Sequence, residues 1–152
     1  MRKVAVIGSS GAIGSAFVDH YINDQSINSI FSFSRSSIGI DNNKVKHFSI
    51  DIENENSVQD AAKSVEEINF DEIIIASGLL HTNEFGPEKS IKDLKADNIL
   101  KVLNVNTVGP AIIGKYFLPL LNKDNKSVMA FLSARVGSIS ENKLGGWYAY
   151  RA

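Results

Sequence analysis

Short apolar runs rich in Val and Ile alternate along the chain with longer stretches whose apolar residues return every three or four positions. The first pattern predicts strands and the second amphipathic helices. Strands are predicted over Lys3–Gly8, Ser29–Ser34, Lys44–Ile50, Glu72–Ala76 and Ser127–Leu132. The run Ile73-Ile74-Ile75 suits a strand buried on both faces. Helices are predicted over Ala12–Asn23, Glu55–Ile68 and Lys95–Leu121. Ile13, Phe17, Val18 and Tyr21 or Ile22 form the apolar face of the first; Val58, Ala61, Ala62 and Val65 form that of the second. Loops fall at Ser36–Asn43, at Ser77–Glu88 with its breakers Gly78, Gly86 and Pro87, and around Gly137, Gly145 and Gly146. A further helix begins near Trp147. The β-α-β-α-β alternation predicts an α/β protein: a doubly wound parallel sheet between two helical layers, a three-layer αβα sandwich. The predicted strand order is 3-2-1-4-5, with a crevice at the carboxyl ends of strands one and four.

Composition narrows the class. The 152 residues read as one domain over 1–152, and 43% hydrophobic residues can fill its core. A net charge of −1 offers no electrostatic case for nucleic acid or an anionic membrane. The absence of cysteine excludes disulfides and thiolate metal sites. No apolar run approaches the roughly 18 residues of a membrane span. The apolar stretch Val4–Ile7 is too short for a signal peptide, so a cytoplasmic protein is expected. His20, His47 and His81 are too dispersed to suggest a metal site.

The candidate chemistry starts at the first strand, which runs into Gly8-Ser9-Ser10-Gly11-Ala12-Ile13-Gly14. Strand, glycine turn and helix place backbone N–H groups at a helix N-terminus, where a phosphate binds. Gly8 permits the turn, Gly11 lets backbone approach a pyrophosphate, and Gly14 lets the helix pack closely. The spacing is G-x-x-G-x-x-G, and no P-loop Lys follows. The pattern is therefore Rossmann-like and favours a dinucleotide over a nucleoside triphosphate. Strand two ends Phe33-Ser34-Arg35-Ser36, without the acid that would bind a ribose 2′-OH. Arg35 offers a bidentate fork for a 2′-phosphate, with Ser34 and Ser36 beside it, which favours NADP over NAD. Asp51-Ile52 ends strand three where an adenine would lie; an Asp there is also an ordinary turn residue.

Together these residues make the chain resemble the short-chain dehydrogenase/reductase family, and within it the C-factor-like, cell-cell-signalling-protein-like members. The resemblance runs from residue 3 to the last residue. It rests on Gly8–Gly14, Asp51-Ile52, Asn106-Thr107-Val108-Gly109, a Ser after strand five, and Gly145-Gly146-Trp147-Tyr148-Ala149-Tyr150-Arg151-Ala152. It implies an NAD(P)-dependent oxidoreductase that moves a hydride between NADPH and a carbonyl or alcohol. It also implies catalytic roles for Ser133, Tyr150 and Asn106, with Ser138 and Ser140 competing for the Ser and Tyr148 for the Tyr. Cofactor contacts are implied for Gly8, Ser9, Ser10, Gly11, Ile13, Gly14, Ser34, Arg35, Ser36, Asp51, Ile52, Ala76, Ser77 and Gly78. Ala76-Ser77-Gly78 departs from the family's Asn-Ala-Gly, with Ser77 as substitute hydrogen-bonding group. Pro110 lacks the N–H that would reach the Asn106 carbonyl, which either frees that carbonyl for water or merely kinks the helix.

The family Lys, one helical turn after Tyr150, would stand at position 154, where its charge would favour the phenolate. The expectation is thus an N-terminal part of a longer enzyme, lacking later strands and inactive or nearly so as 152 residues. A nucleotide-binding or signalling module without turnover is the alternative. An open edge at Val128–Leu132 and an apolar patch of Ile112, Ile113, Tyr116 and Phe117 are also expected, and with them a homo-oligomer.

Overall fold

Five apolar runs pair side by side in a computed structural model, which describes residues 2–37 and 39–152. Ile38, within the predicted Ser36–Asn43 loop, lies outside the described residues. The strands are β1 (Arg2–Ile7), β2 (Ile27–Ser34), β3 (Val45–Ser49), β4 (Glu72–Ile75) and β5 (Val128–Phe131). All pair in parallel, in the predicted order β3-β2-β1-β4-β5. The helices are α1 (Ala12–Asn23), α2 (Glu55–Lys63), α3 (Ala96–Leu103), α4 (Gly109–Phe117) and α5 (Tyr148–Arg151).

Successive side chains of a strand point to opposite faces, so each central strand feeds two cores. Val4, Val6, Ile30 and Ile74 pack with Val18 and Tyr21 of α1. Ala5, Ile7, Phe31, Phe33, Ile73 and Ile75 pack with Val58, Ala61 and Ala62 of α2 and Ile113 and Phe117 of α4. Phe33 meets Phe117 edge to face at 5.3 Å, and Phe31 meets Phe70 likewise at 5.1 Å. Each such side chain, fully buried, contributes about 1.5–3 kcal/mol. At the far end of the sheet, the Tyr21 hydroxyl donates to Glu72, which also pairs with Arg2. Burial first, and Glu72 second, push the Tyr21 phenol well above its ordinary value.

Four departures from the pattern have local causes. Ile13 faces outward and is 56% exposed, because the apolar stripe of α1 runs through Val18 and Tyr21 instead. Helix α2 stops at Lys63, since the Ser64 hydroxyl donates to the Ala61 carbonyl and competes with the backbone ladder. The predicted helix over Lys95–Leu121 is divided by a π turn at Asn104–Val108, in which the Gly109 N–H reaches back to the Asn104 carbonyl. Pro110 lies just beyond and cannot continue the α ladder. The expected patch on α4 is mostly core: Ile113 and Phe117 are wholly buried, while Ile112 and Tyr116 are half-buried against the same cluster. Apolar surface lies instead at Val128, Phe131 and Leu132 along β5 and its end. Among the described residues no helix is long and apolar enough to cross a membrane.

The junction of β1 and α1 sets the rest. The Gly8 N–H donates to the Phe33 carbonyl of β2, while the Ile7 carbonyl accepts from Ala76 beyond β4. The end of β1 is therefore tied to both neighbours where the strand order reverses. Gly8 has φ +86°, and a Cβ there would lie 2.8 Å from the Ser77 nitrogen. A Cβ on Gly14 would lie 2.1 Å from the Gly8 carbonyl oxygen. Gly14→Ala is thus expected to cost at least about 3 kcal/mol or to prevent folding. Gly86→Ala, where a Cβ meets nothing within 4 Å, should shift a urea melt by less than about 0.5 kcal/mol. Equal melts for the two variants would contradict the close approach.

Candidate functional site

The three-glycine turn leaves the first turn of α1 facing the crevice. Gly11 is the N-cap, no side chain caps the helix, and no acid lies in its first turn. Free N–H groups at a positive helix end suit an anion. Two cavities open from this point. One, of about 310 Å³, is lined by Gly8, Ser10, Gly11, Ser34, Arg35, Asp51 and Ile52, with Ala76, Ser77 and Gly78 on its other wall. The second, of about 440 Å³, is lined by Gly11, Ile13 and Ala76–Gly78 and reaches Asn106, Ser133 and Tyr150. The topology thus gathers most of the predicted residues, although they are spread over the whole length of the chain.

Ser9, Gly14 and Ser36 are exceptions, since none of them lines either cavity. Ser9 is wholly buried: its N–H and its hydroxyl both reach the Phe33 carbonyl, and its hydroxyl also accepts from Ser32 and meets Ser34. It clamps the turn to β2 from beneath. Ser36 offers its carbonyl to the Ser34 hydroxyl, which fixes the start of the loop carrying Arg35. Asp51 closes a turn, its carboxylate accepting the Glu53 N–H at 3.1 Å. Ser77 stands apart: its hydroxyl is buried between the two cavities without a hydrogen-bond partner among the described residues. Leaving a buried hydroxyl unmatched is costly, so a polar ligand group there would fit.

In the second cavity the Asn106 side chain brackets Leu79, accepting its N–H at 2.7 Å and donating to its carbonyl at 2.9 Å. That bracket fixes the loop after β4 against the π turn. Tyr150 reaches this cavity from α5 because Gly145, Gly146 and Trp147 are three successive left-handed residues that turn the chain sharply back. Tyr148 does not line the cavity; its hydroxyl lies beside Gly145. Ser138 and Ser140 are bonded to one another in the outer loop, whereas Ser133 lines the cavity.

Sequence reasoning missed several residues that shape the site. The Arg151 guanidinium donates to the carbonyls of Val136, Gly145 and Gly146, tying the loop after β5 to α5. Glu88, only 6% exposed, accepts the Ala149 N–H, and its carbonyl accepts that of Trp147. Neither carried a local signal: Glu88 acts across 61 residues, and the Arg151 partners are backbone carbonyls, which leave no mark in the sequence. Lys101 and Glu53 also line the first cavity; their ion pair is 2.7 Å long, and Asn104 donates to the same carboxylate at 3.1 Å. The three-residue spacing of Lys101 and Asn104 was the available signal.

No family model matches the chain. It is 30% identical over 104 residues to 1-hydroxy-2-glutathionyl-2-methyl-3-butene dehydrogenase of Rhodococcus sp. (strain AD45), covering 67% of this chain and 42% of that protein. It is also 30% identical over 126 residues to UDP-glucose 4-epimerase of Rickettsia bellii, covering 74% of this chain and 36% of the epimerase. The chain thus spans about two fifths of these curated relatives. Among solved structures it superposes on the NADPH-bound carbonyl reductase from chicken fatty liver with a TM-score of 0.85 at 21% identity, over 99% of this chain and 65% of that one. A short chain dehydrogenase family protein from Francisella tularensis gives 0.80 at 18% identity, over 99% of this chain and 57% of that one. The fold is that of these structures.

The electrostatics of the first cavity are open to measurement. The Lys101 ammonium, with smaller help from Asn104 and Arg35, holds the Glu53 carboxyl below the usual glutamate range against partial burial. A depressed value means that the pair's stabilisation is present above the unfolded-state value and is lost as pH falls through the folded one. An NMR titration should place the Glu53 midpoint below that of an ordinary glutamate, and Lys101→Met should return it upward. An unchanged midpoint in the variant would contradict the pairing.

Proposed function

We propose that the chain is the cofactor-binding part of a short-chain dehydrogenase/reductase that uses NADP(H) to interconvert a carbonyl and an alcohol. The observation that carries this reading is the joining of two cavities at Gly11, one leading to Arg35 and the other to Ser133 and Tyr150. The glycine cradle, the uncapped start of α1 and the unmatched Ser77 hydroxyl fit a bound dinucleotide. Its pyrophosphate would lie on the α1 N-terminus and its 2′-phosphate on the Arg35 fork. A solved neighbour adds support, since the chicken carbonyl reductase holds NADPH. The Gly145–Ala152 motif keeps the C-factor-like grouping within this reading.

When bound, NADPH supplies the hydride. The chain's own residues manage the oxygen. Ser133 donates a hydrogen bond to the carbonyl oxygen where negative charge develops. Tyr150 delivers its phenolic proton to that oxygen in reduction and takes it back in oxidation. Asn106 acts at one remove, by holding Leu79 and with it the wall between the cavities. The exposed Val128 and Phe131 of the edge strand β5 extend the reading to self-association, and the reading places the protein in the cytoplasm.

The cofactor assignment is tested by titration with NADPH and NADH, reading energy transfer from Trp147, the single tryptophan, to the reduced nicotinamide. Wild type should prefer NADPH, and Arg35→Ala should lose about 1.5–3 kcal/mol of NADPH affinity while keeping its NADH affinity. Equal wild-type affinities, or an unchanged preference in the variant, would overturn the assignment. Light scattering should show an oligomer that Phe131→Lys dissociates; a monodisperse wild-type monomer at high concentration would remove self-association from the reading.

A further inference from the structure

The first cavity presents a problem for the phosphate it is proposed to hold. Two carboxylates, Asp51 and Glu53, share its wall with Arg35. A carboxylate close to a phosphate site repels the phosphate and competes for the guanidinium that should bind it. Asp51 is occupied in its turn with the Glu53 N–H. Glu53 is held differently. Both of its oxygens accept from the Lys101 ammonium, at 2.7 and 2.9 Å, and Asn104 donates to one of them at 3.1 Å. Arg35 lines the same cavity, and its charge adds the smallest of the influences that lower the Glu53 carboxyl. Among the described residues, Arg35 nevertheless joins none of the ion pairs.

Resting on the NADP(H) reading above, we propose that Lys101 is a specificity-determining positioning residue. It holds Glu53 against the α3 end of the cavity and so leaves the Arg35 fork open to a phosphate monoester on the nucleotide ribose. The preference for the phosphorylated cofactor then depends on three side chains from three parts of the chain. Arg35 supplies the attraction, Glu53 is the latent competitor, and Lys101 neutralises it. With Lys101 removed, the Glu53 carboxylate is free to turn to Arg35, and the charge facing the phosphate falls by one unit. A cofactor without the 2′-phosphate does not use the fork and is indifferent to the change.

The test titrates wild type, Lys101→Met, Glu53→Gln and the double variant with NADPH and with NADH, after a thermal melt of each. Lys101→Met should weaken NADPH binding by about tenfold, the scale of losing one charge in a partly screened pair, and change NADH binding by less than about twofold. Glu53→Gln alone removes the competitor and keeps the Lys101 charge, so its NADPH binding should be no weaker than that of wild type. The double variant should recover NADPH binding to within about threefold of wild type, because the released competitor is gone. A double variant as weak as Lys101→Met would overturn the inference, since Lys101 would then touch the phosphate itself. Equal losses for both cofactors would overturn it too, as the sign of a merely structural role. In either case, a wild type that still prefers NADPH leaves the parent reading standing. A wild type that binds neither cofactor overturns both.

Discussion

The structure depends on one close approach. The start of α1 comes so near the end of β1 that no Cβ can stand between Gly14 and the Gly8 carbonyl. Gly8 itself is pressed against the backbone at Ser77. Three chain segments therefore meet through backbone alone at the point where the strand order reverses. A parallel doubly wound sheet opens its crevice there. The helix N-terminus is directed into that crevice because the glycines allow nothing else to fill it. Ser9 secures the contact from below through β2, so the turn carrying the exposed N–H groups is held by buried hydrogen bonds.

From this junction the two cavities acquire different characters. The one toward β2 and β3 is lined by charged groups that balance one another: Arg35, Asp51, Glu53 and Lys101. The one toward β5 is framed by hydroxyls and by backbone held in place from a distance. Asn106 fixes the wall after β4, and Arg151 and Glu88 fix the turn that presents Tyr150. Asn106 acts across 27 residues and Glu88 across 61, whereas Arg151 reaches back by 5 to 15. The arrangement of the second cavity is accordingly largely a tertiary property, whereas the glycine turn at Gly8–Gly14 is nearly local.

That difference explains what could be read in advance. Strand order, helix positions and the roles of Gly8 and Gly14 were legible because periodicity and backbone sterics act within a few residues. The gathering of Arg35, Ser77 and Ser133 also followed, since the topology sends the strand ends to one rim, whereas Asn106 and Tyr150 sit on helical segments and were marked by the family resemblance. Ser9, implied as a cofactor contact, is buried with its hydroxyl facing β2, and a glycine-turn motif does not say which way a side chain points. The division of the helix over Lys95–Leu121 was half legible, because Pro110 announces a break but not that the ladder slips into a π turn. The apolar patch on α4 was misplaced because Ile113 and Phe117 pack under the sheet against Phe33, a pairing that no spacing rule reports. Glu88 and Arg151 stayed hidden for a similar reason, since their partners are backbone groups that no residue type announces.

On this proposal the glycine junction and the Arg35 loop form a single dinucleotide site. Amide chemical shifts of the isotope-labelled chain, recorded as NADPH is added, test it. Saturable shifts are expected at Ser10–Ile13, at Arg35 and at Ser77–Gly78, with the Arg35 shift much reduced when NADH is used instead. Shifts absent from the Ser10–Ile13 amides, or centred on a surface away from the carboxyl ends of β1 and β4, would contradict it.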